Sequence, residues 1–221
     1  MIDVSLSKSF LNPKSVAIIG ASADPKKTSS RAQRFLVSHG YNGKIFPVNP
    51  NREEIFGLKC YPNLKSINEH IDHIFIAVDS NKIIEAIKDA ISKKVRCATI
   101  LSGGFTESGS EGNDLEKHVF KIAKKGDLRI LGPNSIGLIN ISDNVILSAN
   151  AMLELQDLKK GSLGVISHSG SLIGALLAHG HSRGIGFSKL VSVGNELDPV
   201  SYTHLRAHET GRNLVCRLLL E

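Results

Sequence analysis

Short apolar runs alternate with amphipathic stretches along the first 140 residues, and this alternation limits how the chain can fold. The runs are rich in β-branched residues and end in glycine or polar residues, as buried strands do, and they lie at residues 15–20, 44–50, 73–78, 97–104 and 128–134. Strands that alternate with helices form a parallel sheet covered on both faces. The sequence therefore predicts an α/β fold whose strands all end at one edge, where ligands of such sheets bind.

Amphipathic stretches between the runs predict three helices. The first spans residues 29–39 and stops at Gly40, and Ser80 is the expected N-cap of the second. Apolar side chains at helical spacing give the second and third helices one buried face each, formed by Ile83, Ile84, Ile87 and Ile91 and by Leu115, Val119, Ile122 and Ala123.

A second unit begins after a polar, charged segment near residues 152–161. Residues 162–180 predict a strand, a tight turn and a helix, and residues 187–196 predict one more strand. The chain is therefore expected to contain a first domain, residues 1–150, and the truncated start of a second α/β domain, residues 151–198.

Residues 199–221 do not continue this pattern. Arginines cluster there, lysine is absent, and the segment matches an in-frame translation of a transposon-type sequencing adapter. We expect it to be non-native and give it no weight in fold or function, with a genuine C-terminal helix as the alternative. Its His204, His208 and Cys216 then carry no chemistry.

Composition excludes several classes of protein. No apolar run approaches the ~20 residues that span a bilayer, and the N-terminus has Asp3 and no long apolar signal core. Cys60 and Cys97 lie far apart without metal-ligand spacing. The net charge of +6 suits a polyanionic ligand, while dispersed lysines and 5% aromatic residues argue against nucleic acid. We expect a cytoplasmic protein with no metal, no membrane and no nucleic acid among its partners.

The first turn, residues 20–30, joins a strand to a helix and favours a phosphate group. Backbone N–H groups and the helix dipole attract anions there, and Gly20 lets a ligand approach the main chain. Ala23 and Pro25 break the glycine pattern of a dinucleotide-binding turn. The second strand ends without an acid for a ribose diol, whereas Arg52 can clamp a ribose phosphate, with a solvated surface arginine as the alternative.

Two further loops at the same predicted edge carry glycines, at residues 101–107 and 132–137. Three such loops on one sheet edge indicate a long ligand, although each alone is a weak signal. In the second unit, residues 167–170 lead into a helix whose first amides can bind an anion. His168 lies in that turn with no acid nearby in sequence, so we interpret it as a surface histidine and not as a base.

Five segments now form a recognisable set: LNPKSVAIIGAS, KIFPVNPN, ILSGGFTE, GPNSIGLIN and GVISHSGSL. In this order and at these intervals they resemble the ADP-forming acetate–CoA ligases and other NDP-forming acyl-CoA synthetases, which are similar to the α subunit of succinate–CoA ligase. The resemblance covers residues 11–198. It implies a Rossmann-like domain that binds coenzyme A (CoA), followed by a flavodoxin-like ligase domain.

The resemblance also implies which residues meet CoA. Its phosphates are expected at Gly20, Ala21 and Ser22, its nucleotide end at Arg52, its body along Val78, Leu101, Ser102 and Gly103, and its thiol end at Asn134 and Ser135. A helix start that faces a phosphohistidine is expected at Ser167, Ser169 and Gly170.

The family reaction turns a carboxylic acid, CoA and ATP into acyl-CoA, ADP and phosphate through an acyl phosphate and a phosphohistidine. No match to the phosphohistidine motif occurs between Gly170 and Asp198, and His168 does not replace it. We therefore expect CoA binding, no catalytic residue in this chain and no activity from it alone. ATP or ADP and Mg²⁺ are expected on an ATP-grasp domain or β subunit elsewhere.

Three alternatives remain open. A stand-alone CoA-binding or CoA-sensing module would not need the second unit. The synthetase-like region of a protein-lysine acetyltransferase would share this sequence and differ only downstream. An NAD-dependent oxidoreductase is least favoured, because the glycine pattern and the acid that it requires are both missing.

Overall fold

The computed structural model describes residues 4–155, 157–198 and 215–216. The helices are α1 (Val4–Leu11), α2 (Thr28–Ser38), α3 (Ile83–Ser92), α4 (Ser110–Lys125) and α5 (Gly170–Ser182). The strands are β1 (Ser15–Ile19), β2 (Lys44–Val48), β3 (Glu54–Ile55), β4 (Leu58–Lys59), β5 (His73–Ile76), β6 (Cys97–Ile100), β7 (Arg129–Leu131), β8 (Gly137–Asn140), β9 (Val145–Ser148), β10 (Lys160–Ser167), β11 (Phe187–Ser192) and β12 (Val215–Cys216). In this described part of the chain, no helix combines the length and apolar character needed to cross a bilayer.

The first sheet is parallel and has the strand order β2-β1-β5-β6-β7. All five strands coincide with apolar runs, so the α/β prediction is confirmed. The chain moves outward from β1 to β2 and then returns to place β5 on the other side of β1. This reversal between β1 and β5 is a topological switch point, the position at which open parallel sheets bind their ligands.

Helices α3 and α4 cover one face of this sheet through the predicted apolar stripes. Ile83 and Ile87 are fully buried on α3, while Ile84 and Ile91 are partly buried against the same core. The predicted cap is wrong: Ser80 lies in a short 3-10 turn, and α3 has Lys82 at its N-cap position without a side-chain cap from any described residue. Packing of this apolar face against the sheet therefore holds α3 in place, and no side-chain cap from the described part of the chain contributes.

The second sheet is mixed, with the order β12-β10-β11-β8-β9. Strands β10 and β11 are parallel and match the predicted strands, but β8 and β9 form a hairpin that the sequence analysis missed, and β8 pairs antiparallel with β11. The hairpin was missed because both of its strands are buried on both faces and carry no alternating pattern. The domain boundary expected at residue 150 stays a prediction. The chain passes from the first sheet to the second between β7 and β8, which begins at Gly137.

The two sheets share one hydrophobic core. Val16 and Ile18 of β1 belong to the same buried cluster as Leu138 of β8, Leu147 of β9 and Val191 of β11. Burial of such side chains stabilises by about 1.5 to 3 kcal/mol each, so the first sheet depends on the second for one covered face. Loops at the carboxyl edge of the first sheet are thereby held close to the start of α5.

Candidate functional site

An open cleft of about 800 Å³ lies at the topological switch point of the first sheet. Its walls are the start of α2, residues 26–29, the segment after β5, residues 77–80, and the segment after β6, residues 101–103. We call it the carboxyl-edge cleft. Four residues expected along the body of CoA line it: Val78, Leu101, Ser102 and Gly103.

The turn at Gly20 forms a cradle that only glycine fits. Gly20 has φ of +83°, and a Cβ on it would lie 2.6 Å from the carbonyl oxygen of Ala77. The N–H groups of Gly20 and Ala21 both donate to the carbonyl oxygen of Val48, at 3.0 and 3.3 Å. The Ser22 hydroxyl accepts from an N–H within the turn. The first amides of this turn are therefore already used, and the amides open to a ligand lie further along the chain.

Those open amides lie at the start of α2. The helix begins at Thr28 with Lys27 at the N-cap position, and no side chain in the described ranges caps it. Lys26 and Lys27 are exposed and line the cleft, where Asp79 is the opposing charge among the lining residues. An uncapped helix start with two lysines attracts an anion. These lysines were not among the predicted site residues, although two consecutive basic residues directly before a helix are a readable signal.

The opposite wall is held by hydrogen bonds between neighbouring loops. The Leu101 N–H donates to the carbonyl oxygen of Ile76 at 2.9 Å, and the Ser102 hydroxyl donates to the carbonyl oxygen of Val78. The N–H of Asn134 donates to the carbonyl oxygen of Ser102 at 3.0 Å. Asn134 is exposed at the far end of this wall, so the predicted site residues from β6 and from the loop after β7 are brought together.

Arg52 and Ser135, like the glycine turn and Asn134, are not among the residues that line the cleft. Arg52 is exposed in the turn after β2 and is not among the lining residues, although Asn49 links that turn to the glycine turn by donating from Nδ2 to the carbonyl oxygen of Ala21 at 2.8 Å. Ser135 is fully buried, and its hydroxyl donates to the carbonyl oxygen of Ser192 at 2.6 Å. That hydroxyl is thus committed to the fold, and the expected CoA contact at Ser135 stays a prediction.

The predicted helix start in the second unit is capped by a side chain of its own turn. The Ser169 hydroxyl caps α5 by accepting from the N–H of Leu172 at 3.2 Å, and the Ser169 N–H donates to the Ser167 hydroxyl at 3.0 Å. Ser167 is buried, and the Gly170 carbonyl accepts from Nδ2 of Asn150. The turn is tight, as predicted, and its hydroxyl groups are committed to the helix start itself.

His168 has an acidic partner that the sequence analysis did not find. Its Nε2 lies 3.3 Å from Oε2 of Glu196, and its Nδ1 donates to the carbonyl oxygen of Gly194 at 3.0 Å. Glu196 is 28 residues further along the chain, so no local pattern could reveal the pair. Both ring nitrogens are engaged, which fits a positioned surface histidine better than a free base.

A segment of the second unit, residues 193–198, contacts the cleft wall of the first. Asp198 forms a bidentate ion pair with Arg129, with N···O distances of 2.5 and 2.7 Å, and this pair raises the pKa of Arg129. Asn195 donates from Nδ2 to Glu107 at 2.8 Å. Burial acts to raise the pKa of Glu107, but hydrogen bonds from Asn195 and from loop N–H groups hold it below its ordinary value. The carboxylate therefore stays ionised at the wall.

Comparison with known protein families identifies both units. The family described as CoA binding domain matches residues 14–141. The family described as succinyl-CoA ligase like flavodoxin domain matches residues 160–209.

Individual relatives agree with these matches. The chain is 38% identical over 192 residues to the acetate–CoA ligase (ADP-forming) II of Archaeoglobus fulgidus, which covers 86% of this chain and 28% of the relative. It is 37% identical over 189 residues to the α subunit of acetate–CoA ligase (ADP-forming) II of Pyrococcus furiosus, and this match covers 86% of this chain and 40% of the relative. The chain thus spans well under half the length of these curated relatives.

A solved structure shows the same arrangement of units. The dinucleotide forming acetyl-coenzyme A synthetase 1 of Ca. Korarchaeum cryptofilum, in complex with phosphate and ADP, is 33% identical with a TM-score of 0.84. The similarity covers 93% of this chain and 43% of that one.

Proposed function

Because this chain belongs to the CoA binding domain family, with a segment of the succinyl-CoA ligase-like flavodoxin domain after it, we propose that it is the CoA-binding portion of an ADP-forming acid–CoA ligase. The observation that carries the proposal is the carboxyl-edge cleft, where a glycine cradle, an uncapped helix start and two lysines meet. CoA is a long thiol with three phosphate groups. A cleft that is cationic at one end and lined by main chain along its length suits it.

The proposed binding mode gives CoA one orientation in this cleft. Its phosphates fit the start of α2, where Lys26, Lys27 and the first helix amides are exposed. The pantetheine arm then follows the main chain at Leu101 to Gly103, and the thiol ends near Asn134. We propose Arg52 for the 3′-phosphate of the nucleotide end, because Asn49 links its turn to the glycine turn. This direction brings the thiol towards the loop at Gly194 and the start of α5.

The parent enzyme would join a small carboxylic acid to CoA with the use of ATP, as the names of its relatives indicate. We propose that ATP, ADP and Mg²⁺ bind an ATP-grasp domain or a β subunit outside this chain. The chain alone is then inactive, since His168 is tied to Glu196 and Gly194 and does not serve as the phosphoryl acceptor. The shared core of the two sheets favours a multidomain ligase over a stand-alone CoA module.

Calorimetric titration tests the proposal with three ligands: CoA, dephospho-CoA, which lacks the 3′-phosphate, and NAD. We expect CoA to bind and NAD not to bind. The Arg52→Glu variant should lower CoA affinity by about tenfold and leave dephospho-CoA affinity unchanged, because only the 3′-phosphate meets that side chain.

The Lys121→Glu variant is the matched control, since it makes the same charge change on an exposed part of α4 away from the cleft. It should bind all three ligands as the wild type does. Uptake of NAD with no uptake of CoA would overturn the proposed function. Unchanged CoA affinity in Arg52→Glu would instead remove only Arg52 from the site, and equal losses for CoA and dephospho-CoA would overturn its contact with the 3′-phosphate.

A further inference from the structure

The turn of residues 104–107 continues the cleft wall formed by residues 101–103. Gly104 has φ of +93°, and a Cβ on it would lie 3.1 Å from Oγ of Ser80 across the cleft. The N–H of Gly104 donates to Oε1 of Glu107 at 2.7 Å, and the N–H of Thr106 donates to Oε2 of Glu116 at 3.4 Å. Two carboxylates therefore hold the main chain of this turn.

A single amide group joins these two carboxylates. Nδ2 of Asn195 donates to Oε2 of Glu107 at 2.8 Å and to Oε2 of Glu116 at 3.1 Å. An asparagine amide has two N–H donors, so one side chain can satisfy both acceptors. Without it, two like charges would face each other at close range and repel.

Asn195 is itself fixed by the main chain around it. Its N–H donates to the carbonyl oxygen of Pro133 at 2.9 Å, and the N–H of Leu197 donates to the carbonyl oxygen of Gly132 at 3.0 Å. The bidentate pair of Asp198 with Arg129 holds the same segment at its far end. The Asn195 amide is thus presented from a rigid support that belongs to the second unit.

We propose that Asn195 is a positioning residue for CoA binding, which fixes the turn of residues 104–107 through Glu107 and Glu116. The proposal rests on the proposed function, because it assumes that the carboxyl-edge cleft takes CoA. It gives the second unit a role in CoA binding: one of its side chains holds a wall of a cleft formed by the first. CoA affinity then depends on a residue that does not line the cleft.

The Asn195→Ala variant in the full chain tests this by CoA titration. We expect CoA affinity to fall by about five- to tenfold, since the two carboxylates separate and release the turn. His39→Ala is the matched control: it removes one contact to the second unit, from Nε2 to the carbonyl oxygen of Leu153 at 2.9 Å, at the end of α2 distant from the cleft. Its CoA affinity should equal that of the wild type.

Moving a carboxylate from position 107 to position 195 tests whether Asn195 positions the turn or only stabilises the fold. Asn195→Asp keeps the side-chain shape but adds a third carboxylate, so it should lower CoA affinity more than Asn195→Ala does. Combining it with Glu107→Gln should restore part of the affinity, because the new amide at position 107 can donate to the carboxylate at position 195 while its oxygen still accepts from Gly104. A purely structural loss would not recover in the double variant.

Amide hydrogen exchange of Gly104 and Thr106 without CoA gives a readout that does not depend on the ligand. Both amides should exchange faster in Asn195→Ala than in His39→Ala. Unchanged exchange together with wild-type CoA affinity in Asn195→Ala would overturn the role of Asn195 and leave the proposed function standing. A wild-type chain that does not bind CoA would overturn the proposed function and the coupling with it.

Discussion

The turns before α2 and α5 both lead from a parallel strand into a helix, and they differ in what satisfies the first helix amides. The turn before α2 is long, its helix start has no side-chain cap from the residues that the structure describes, and Lys26 and Lys27 lie beside it at an open cleft. The turn before α5 is short, and the Ser169 hydroxyl caps the helix. A capped helix start is partly satisfied by its own chain, whereas an uncapped one retains donors for a ligand.

This difference makes the turn before α2 the better candidate phosphate site, although the two turns have similar sequences. Both turns follow an apolar strand, contain serine and glycine, and open a helix, so both were expected to face phosphate groups. The structure gives the first turn the charge and the open amides that phosphate binding needs. Three pairs of variants can break or sharpen the contrast.

The largest effect is expected from adding one methyl group to the first turn. Gly20→Ala should destabilise the fold by about 2 to 4 kcal/mol and abolish CoA binding, because φ is +83° and the new Cβ would meet the Ala77 carbonyl oxygen. Gly170→Ala is the same change at the second turn. There the new Cβ would lie 2.7 Å from Cγ1 of Ile136, a β-branched side chain that has to shift. Gly170 has no positive φ and the contact is not with main chain, so the cost should be smaller, about 1 to 2 kcal/mol. Urea unfolding measures both, and equal costs would contradict the contrast.

Charge reversal at the first turn should have the next largest effect. The double variant Lys26→Glu with Lys27→Glu should lower CoA affinity by about 10- to 100-fold and reduce its salt dependence, since two cations beside the phosphates are replaced by anions. Lys159→Glu with Lys160→Glu is the control, a matched pair of lysines near the start of β10, the end of that strand opposite to the α5 helix start. Titrations at two salt concentrations compare them. Similar losses in both double variants would show only a net-charge effect.

The smallest effects are expected from removing one hydroxyl group at each of the two helix starts. Ser169→Ala should lower the free energy of unfolding by about 1 kcal/mol and leave CoA affinity unchanged, because the hydroxyl caps α5. Thr28→Ala at the start of α2 should do the reverse, with little loss of stability and a CoA affinity about two- to fivefold lower. Thermal unfolding and calorimetry on both variants decide it. A stability loss confined to Thr28→Ala would reverse our assignment of the two helix starts.

Much of the cleft was predictable from sequence because its segments each follow an apolar strand. Val78, Leu101, Ser102 and Gly103 line one cleft, since parallel strands deliver the residues after them to one edge, while their contact with CoA stays a prediction. The burial of Ser135 was not predictable, because a serine beside asparagine in a loop that contains glycine looks exposed. Its burial depends on β11, which lies more than 50 residues further along the chain.

Periodicity and composition alone determined the α/β class, the five strands of the first sheet and the apolar faces of α3 and α4. These properties depend on residues a few positions apart, so the chain shows them locally. Tertiary structure alone decided the pairing of Glu196 with His168 within the second unit and of Asn195 with Glu107 across the two units. It also buried His73, whose two ring nitrogens contact the Ser9 carbonyl oxygen and the Thr99 hydroxyl. This burial lowers the pKa of His73 to about 4. Such contacts join residues far apart in sequence, and only the packing of the shared core brings them within reach.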